Sequence, residues 1–351
     1  MNRPVRIACR SAVAVSIALA FVLLEGCYYV QAIGGQMEVL RKRRPLAEVI
    51  DDAETDESLR QRLTMVQEAR RFAVEQLLLP ENDSYLSYSD LGRDFVVWNV
   101  FAAPEFSLEP LQWCFPVAGC VAYRGYFSEG KANRQAGKLR KKGLDVYVGG
   151  VAAYSTLGRF DDPVLNTMMR WSDINLVETL FHELAHQKLY VGGDTAFNES
   201  FATAVAEAGI ERWVEARNEQ QEFKKRERSG VLQEQVRQLV SGAWQMLQDM
   251  YSAVDQDDEM RAKKKVVLDA LSQDVQLAID ASGLDVRNWL APPLNNARLV
   301  SLGLYEGNLP SFRTLMKDCD GDFECFYAEA SALAELEFDQ RQARLQELDS
   351  R

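Results

Sequence analysis

The two histidines of the 351-residue chain stand four positions apart and enclose a glutamate, in Phe181-His-Glu-Leu-Ala-His-Gln187. On an α-helix, positions i and i+4 share a face, so His182 and His186 can bind one metal ion from the same side. The spacing is that of the His-Glu-x-x-His motif, in which two histidines bind zinc and the glutamate acts as general base on a water molecule. These residues therefore predict one zinc ion per chain, hydrolytic chemistry and a general-base role for Glu183.

A third protein ligand is needed, because a catalytic zinc ion takes three ligands from the protein and keeps one position open. No histidine remains for this role. The sequence offers a carboxylate at Glu199, in Phe197-Asn-Glu-Ser-Phe-Ala-Thr203, thirteen residues after His186. Glu178 and Glu207 are the alternatives, either as ligands or as groups that hold a ligand in place. We predict Glu199 as the third ligand.

Two helices joined by a tight turn would bring these residues together. Ser172 can cap the first helix, Gly192-Gly193 would end it through a left-handed cap, and Asp194 or Thr195 can cap the second. An antiparallel return then places Glu199 opposite the histidines. The periodic apolar residues that mark the buried sides are Ile174, Val177, Phe181 and Leu184 on the first helix, and Phe201, Val205 and Trp213 on the second.

The motif followed by Asn198-Glu-Ser-Phe-Ala-Thr203 resembles the glutamate-ligand zinc peptidases, or gluzincins. These include alanyl-aminopeptidase-type enzymes, whose third-ligand motif reads Asn-Glu-Gly-Phe-Ala. More closely, roughly residues 60–315 are similar to the predicted bacterial zinc aminopeptidases, which are often lipoproteins. The further stretches that carry this similarity are Trp113–Cys120, Tyr123–Phe127, Ala153–Gly158 and Asn295–Leu299.

This resemblance implies zinc peptidase activity, with His182, His186 and Glu199 as ligands and Glu183 as base. The chain departs from alanyl aminopeptidases in two ways. Its gap between the second histidine and the glutamate is shorter, and their Gly-x-Met-Glu-Asn exopeptidase motif is missing. The prediction is therefore a zinc peptidase and, within that class, an aminopeptidase. The alternatives are an envelope-anchored zinc amidase, or a non-catalytic lipoprotein that binds peptide or peptidoglycan.

The N-terminus indicates export. Three arginines precede an apolar run over Ser11–Leu24, which ends at Leu24-Glu-Gly-Cys27. The run is short for a membrane span and typical of a signal peptide. Gly26 before Cys27 resembles a lipobox, which implies cleavage there and lipid attachment to Cys27. Ordinary signal cleavage and an uncleaved anchor are the alternatives. By analogy with lipoprotein sorting, Tyr28 in place of aspartate favours the periplasmic face of the outer membrane.

The remaining cysteines form two pairs of short separation. In an oxidising compartment, Cys114 with Cys120 and Cys319 with Cys325 each predict a local disulfide. No histidine lies near either pair, which argues against metal binding there.

The charge excludes one class of partner. Removing residues 1–26 takes away three arginines and one glutamate, so the net charge changes from −12 to −14. A nucleic-acid-binding protein needs a basic footprint instead. The basic run Arg41-Lys-Arg-Arg44 could meet anionic lipid headgroups or remain solvated. The expected partners are a peptide substrate and, through the lipid anchor, a membrane, with no nucleic acid and no obligate protein partner.

Composition and periodicity predict an α+β, zincin-like fold, with a small sheet ahead of a mainly helical zinc-binding body. The predicted segments are a lipoprotein-type signal peptide (1–26), a membrane tether and linker (27–58), an N-terminal helix with a small sheet and a substrate edge strand (59–171), and the helical zinc-binding subdomain (172–351). The predicted strands are Phe95–Phe101, Val121–Phe127 and Leu144–Val148. The predicted helices outside the zinc segment are 57–79, 230–253, 257–281, 310–317 and 326–348.

The strand Leu144–Val148 is the candidate substrate edge, because an edge strand can pair with an extended peptide through main-chain hydrogen bonds. Gly149 and Gly150 would allow close approach. Tyr154 could donate a hydrogen bond to the oxyanion, or could simply pack in the turn. Its rivals for the oxyanion role are Tyr190 and Tyr305.

The substrate amine of an aminopeptidase requires an acidic partner. Glu178, Glu207 and Asp145 all remain candidates for it. Arg124 and Asn296 could fix a substrate terminus or backbone, although structural hydrogen bonding is the simpler interpretation of both.

Overall fold

The computed structural model describes residues 28–115, 119–154, 156, 160–218, 220–252, 257–284, 294–303 and 307–351. The predicted signal peptide, the predicted lipidation site Cys27 and the rival tyrosine Tyr305 lie outside the described residues. No helix among the described residues is long and apolar enough to cross a bilayer.

The chain combines many helices with short strands. The helices are α1 (residues 28–41), α2 (Leu46–Asp51), α3 (Glu57–Leu77), α4 (Glu129–Arg140), α5 (Asp173–Lys188), α6 (Thr195–Arg217), α7 (Gln220–Tyr251), α8 (Asp257–Ser282), α9 (Asn296–Gly303), α10 (Leu309–Asp318), α11 (Phe323–Ala334) and α12 (Phe338–Asp349). The strands are β1 (Arg43–Pro45), β2 (Ser87–Ser89), β3 (Val97–Pro104), β4 (Trp113–Phe115), β5 (Gly119–Val121), β6 (Tyr123–Tyr126), β7 (Leu144–Val151) and β8 (Val164–Leu165). The α+β class expected from sequence is confirmed, and the zincin-like assignment stays a prediction.

The largest sheet has the antiparallel order β6-β3-β7, which leaves β7 at an edge. Side chains alternate along β3, as the period of a strand requires. Val100 and Ala102 pack with α4 on one face, whereas Phe101 and Ala103 pack with α9 on the other. The two helices therefore cover both faces of the sheet.

The main core lies where α3, α5, α6 and α10 to α12 meet. Aromatic side chains fill it: the Phe201 ring stacks on Phe326 with centroids 5.7 Å apart and meets the Phe312 ring at 5.9 Å. The helices α5 and α6, which carry the candidate ligands, therefore have their inner sides in this main core.

Residues 28–51, within the predicted tether, are folded onto this core. Val39, Leu46 and Val49 are buried in it. The strand β1 pairs antiparallel with β2, which pairs in parallel with β8. The described part of this segment is thus an integral part of the body.

The helices α7 and α8 form an arm with a separate core. Leu247 and Val275 are fully buried between them, and Leu299 of α9 joins the same cluster.

The predicted helix over 326–348 is wrong in one respect, because it is two helices separated at residues 335–337. Arg341 of α12 stabilises the break by donating to the carbonyl oxygens of Leu336 (2.6 Å) and Ala334 (3.4 Å), which a continuous helix would have used internally.

Candidate metal centre

The helix α5 carries the first two candidate ligands. The Ser172 hydroxyl accepts a hydrogen bond from the Asn175 amide at 3.3 Å and caps the helix, as predicted. Ile174, Val177, Phe181 and Leu184 are buried, also as predicted. With that side fixed in the core, the helical period directs His182 and His186 towards α6.

The turn after α5 differs from the prediction. The helix ends at Lys188, and the next residue is extended (φ −147°), so Gly192-Gly193 do not cap it. Gly193 adopts a left-handed conformation (φ 85°) further along the turn. The predicted cap of the second helix is confirmed, since the Asp194 carboxylate accepts from the Phe197 amide at 3.1 Å.

Asn198 joins this turn to α6 by two hydrogen bonds. Its side chain accepts from the amide of Val191 and donates to the carbonyl of the same residue, both at 2.7 Å. Asn198 is buried and directly precedes Glu199. It therefore fixes the first turn of α6, and with it the position of the third candidate ligand. The sequence did not reveal this structural role of Asn198, although the Asn198-Glu199 pair is part of the resemblance to the glutamate-ligand zinc peptidases.

The three candidate ligands converge. The Nε2 atoms of His182 and His186 lie 3.1 Å apart. The Glu199 carboxylate oxygens lie 3.4 Å from His182 Nε2 and 3.7 Å from His186 Nε2. One ligand atom from each side chain fits within a span of 4.8 Å. Two segments that are thirteen residues apart in sequence thus present three donor atoms to one point.

This donor set suits a divalent metal ion. Two imidazole nitrogens and one carboxylate oxygen are the ligands of many catalytic zinc sites. The three donor atoms lie close enough together for one ion to contact all of them. Nε2 of His186 faces the other donors, and its buried Nδ1 has no hydrogen-bond partner among the described residues.

Burial and neighbouring charges set the protonation of this cluster. Burial lowers the pKa of His186 to about 4, and the charge of His182 adds to the effect. For His182 burial is the largest single influence and works against the charged form, but the hydrogen bond with Glu199 and the negative charges of Glu183, Glu199 and Glu178 together raise the pKa. The Glu199 pKa is lowered by the same hydrogen bond and by both histidines, in spite of the burial that opposes this shift.

Glu183 is buried beside the donors. Burial raises its pKa to about 7, His182 opposes the shift, and the negative charges of Glu199 and Asp162 add to it. A carboxyl group whose pKa lies near neutrality can both accept and return a proton.

A cavity of about 1140 Å³ adjoins one part of this cluster. His182 and Glu183 form part of its wall. The other contributors are the end of β7 with residues 152–153, and parts of α5, α6, α7, α8 and α10. The cavity is thus bounded by the helices α5 and α6, which carry the candidate ligands, on one side and by the α7–α8 arm on the other.

The three acidic residues considered for binding the substrate amine differ in whether they line the cavity. Glu178 and Glu207 line the cavity. Arg226 of α7 contacts Glu178 at 2.9 Å, and Arg313 contacts Glu207 at 2.6 Å. Asp145 is absent from the cavity wall and instead binds Lys264 at 2.6 Å.

The predicted substrate strand is an edge strand, but it is longer than expected. Gly149 and Gly150 lie within β7, where they pair with β3. A Cβ atom at Gly150 would lie 2.4 Å from the Phe95 ring, so packing inside the protein already requires this glycine. The cavity wall begins at Val151.

The contacts of Tyr154 are with residues other than the three donors. Its hydroxyl donates a hydrogen bond to Gln36 of α1, and its ring packs edge-on against Phe127. Burial raises its pKa. It does not line the cavity although residues 151–153 do, and its oxyanion role stays a prediction.

Two other tyrosines interact with the donors. The Tyr190 ring centroid is 6.4 Å from that of His186. Burial, followed by the charge of Glu199, raises the pKa of Tyr123 on β6. Nothing in the local spacing of Tyr123 relates it to residues that follow some sixty positions later, so the sequence did not indicate it for this site.

Asn296 is structural, as the simpler interpretation held. It is fully buried, and its amide donates to the carbonyls of Pro104, Glu105 and Ser107. The guanidinium of Arg124 lies over the Tyr28 ring.

Both predicted disulfides are confirmed. Cys114 is bonded to Cys120, and Cys319 is bonded to Cys325.

The arrangement belongs to the class of three-donor sites that two histidines and one carboxylate build on a pair of packed helices. Residues 27–345 match the family model described as "Putative aminopeptidase". The match spans most of the chain, and the protein therefore belongs to this family. Comparisons with curated proteins and with solved structures gave no match.

Proposed function

We propose that the protein is a zinc-dependent peptidase, and specifically an aminopeptidase. The observation that carries this proposal is the convergence of His182, His186 and Glu199 beside the buried Glu183, with His182 and Glu183 on the wall of a large cavity. Membership of an aminopeptidase family supports the reaction type.

In this proposal His182, His186 and Glu199 hold one zinc ion. When bound, zinc supplies a Lewis acid that polarises the scissile carbonyl group and makes water more acidic. Glu183 accepts the proton of the attacking water and returns it to the leaving nitrogen, so that the amine departs neutral. Its burial limits the exchange of that proton with bulk solvent.

The cavity favours short peptides. Its volume of about 1140 Å³ slightly exceeds that of ordinary small-molecule sites, which hold about 300–1,000 Å³. The end of β7 reaches the wall at Val151, where an extended peptide could pair with it over a residue or two. The α7–α8 arm would then face the substrate side chains.

Glu178 is the best candidate for binding the substrate amine. It lies four residues before His182, hence one helical turn away on the same face, and it lines the cavity. Its charge also contributes to the raised pKa of His182. Arg226 holds the Glu178 carboxylate at 2.9 Å, so an incoming ammonium would join an ordered ion pair.

The test is hydrolysis of paired peptide libraries, with free and with acetylated N-termini, by the full chain and by Glu183→Gln with zinc content measured for both. Cleavage confined to free N-termini, and lost in the variant at unchanged zinc content, is the expected result. Cleavage of both libraries would instead identify an endopeptidase. One equivalent of zinc without cleavage of either library would overturn the peptidase proposal in favour of an amidase or a peptidoglycan-binding lipoprotein.

We also propose that the protein is lipid-anchored through Cys27, at the periplasmic face of the outer membrane. The apolar run over Ser11–Leu24 and the Leu24-Glu-Gly-Cys27 sequence support this proposal, and the two disulfides suit an oxidising compartment. Metabolic labelling with a clickable fatty acid tests it. Label should enter the wild-type chain and not Cys27→Ser, and equal labelling of both would contradict the assignment.

A further inference from the structure

The helix α1 exposes an apolar face. Val30 is 72% exposed, Ile33 is 62% exposed and Met37 is 53% exposed. With Gly34 and Arg41, which are also exposed, they recur at intervals of three or four residues and so form one stripe along the helix. A surface helix ordinarily shows polar residues on this side. Contiguous exposed apolar surface of this kind marks an interaction site.

The opposite face of α1 is fixed to the body. Gln31 donates to the carbonyl of Gly125 at 3.3 Å and accepts from the amide of Phe127 at 3.2 Å. Val39 is buried in the main core. At Gly35 the helix approaches so closely that a Cβ atom would lie 2.0 Å from the Phe127 ring. The apolar stripe therefore has a fixed orientation relative to the catalytic body.

The position of α1 in the chain indicates what would cover the stripe. The helix is present from residue 28 onward, directly after Cys27 and four residues after the apolar run over Ser11–Leu24. If Cys27 carries lipid, the helix begins at the membrane surface. If the apolar run stays in place as an uncleaved anchor, the helix begins there as well.

The charges agree with a lipid surface. Residues 28–40 contain a single charged side chain, Glu38, and its carboxylate is bound by Arg93 at 2.8 Å. The stripe therefore carries no acidic group towards the membrane, although the protein as a whole is acidic. At its end, Arg41 is exposed and can meet anionic headgroups.

Of the four basic residues at positions 41–44, Arg41 is the one whose side chain is left to meet lipid headgroups. Lys42 donates to the carbonyl of Leu91 at 3.4 Å, and Arg43 donates to the carbonyl of Asp161 at 2.8 Å. Arg44 forms an ion pair with Asp52 at 2.9 Å. Within the described residues, Arg41 has no such partner.

We infer that α1 lies flat on the bilayer, with Val30, Ile33 and Met37 at the boundary between headgroups and acyl chains. Helices that carry an apolar stripe bind membranes in this way. Because the other face of α1 is part of the protein core, this contact would hold the whole enzyme in one orientation on the membrane. The inference does not depend on the proposed catalytic activity.

The experiment places a fluorophore on the stripe. The full chain carries Cys9→Ser and Cys27→Ser, so that an added cysteine is the free thiol, and the apolar run over Ser11–Leu24 remains as anchor. The environment-sensitive dye NBD is attached at Ile33→Cys. The matched control is Val266→Cys on α8, where the native side chain is 68% exposed, slightly more than Ile33. Both proteins are inserted into vesicles of phosphatidylethanolamine and phosphatidylglycerol, with and without doxyl-labelled phosphatidylcholine.

The inference predicts a blue-shifted emission at position 33 that the doxyl lipid quenches, and an unshifted, unquenched emission at position 266. Equal quenching at both positions, or none at position 33, would overturn it. A blue shift at position 33 that the lipid does not quench would also overturn it, because protein, such as a second copy or the chain's own leader, would then cover the stripe. Met37→Cys provides a second probe of the same stripe, at which the same result is expected.

Discussion

The helix pair α5–α6 and the α7–α8 arm bound the same cavity but are built differently. The pair has its inner side in the main core, and side-chain caps at Ser172 and Asp194 fix the start of each helix. The arm relies on a smaller core of its own and leaves Val231, Met246, Val266 and Leu277 exposed. The candidate metal donors lie on α5 and α6, whereas α7 and α8 form a large part of the cavity wall.

This difference separates the candidate metal donors from much of the wall that would contact a substrate. A metal site needs donors held in place by well-packed elements, and the helix pair would supply them. A wall that contacts the substrate can vary without disturbing those donors, and the arm supplies it. Damage to the pair should therefore abolish zinc binding, whereas damage to the arm should change stability or substrate preference and leave zinc in place.

The largest effect is expected from Glu199→Ala. Removing this donor should release zinc and reduce kcat/KM by at least ~100-fold, since even groups that merely orient zinc ligands contribute about 10–100-fold. Zinc content by mass spectrometry and peptide hydrolysis measure both effects. Glu207→Gln is the control on the same helix and should retain zinc. A zinc-replete, active Glu199→Ala would contradict the assignment of the third ligand.

The next largest effect is expected from breaking the buried ion pair between Asp194 and Arg341. Asp194 caps α6 and is bound by Arg341 at 2.9 Å, with both side chains nearly fully buried. Asp194→Ala leaves Arg341 with an uncompensated buried charge, so the free energy of unfolding should fall by about 3–5 kcal/mol. Denaturant titration measures this loss, and weaker zinc binding should accompany it.

The exposed pair between Arg344 and Glu347 provides the control for that experiment. Glu347→Ala should change the free energy of unfolding by about 1 kcal/mol or less. If both substitutions lower the free energy of unfolding equally, the buried ion pair between Asp194 and Arg341 does not stabilise α6.

In the arm, Leu247→Ala should lower the free energy of unfolding by about 2–5 kcal/mol, because the residue is fully buried and truncation leaves a cavity. The zinc content of the folded protein should stay at one equivalent. Loss of zinc from a protein that remains folded would mean that the arm, and not the pair alone, holds the metal site together.

The smallest effect tests recognition within the pair. Glu178→Gln should reduce the preference for free over acetylated N-termini by roughly 10- to 100-fold, the range of a hydrogen bond to a charged group. Zinc content should not change. If Glu207→Gln reduces the preference and Glu178→Gln does not, the amine site lies on α6 instead.

The sequence predicted the convergence of the three candidate donors better than their surroundings. His182, His186 and Glu199 could be placed because helical spacing and a short turn nearly determine their separation. Both disulfides followed from short separation and from the expected compartment. These features depend on neighbours in sequence, which a pattern records directly.

The features that the sequence did not reveal depend on contacts between distant segments. Arg226 meets Glu178 across 48 positions, and Arg341 meets Asp194 across 147. The exposed face of α1 was hidden for a related reason. An apolar stripe in a sequence is ordinarily assigned to the core, and only the packing of Gln31 and Val39 shows that the core lies on the other side.

Diffraction from zinc-soaked crystals, with anomalous data collected on both sides of the zinc absorption edge, is the sharpest test of the proposed three-donor zinc site. We expect one anomalous peak that appears above the edge, within coordination distance of His182 Nε2, His186 Nε2 and the Glu199 carboxylate. A zinc peak elsewhere, for example between Glu178 and Glu207, or the absence of any peak at the three donors, would contradict it.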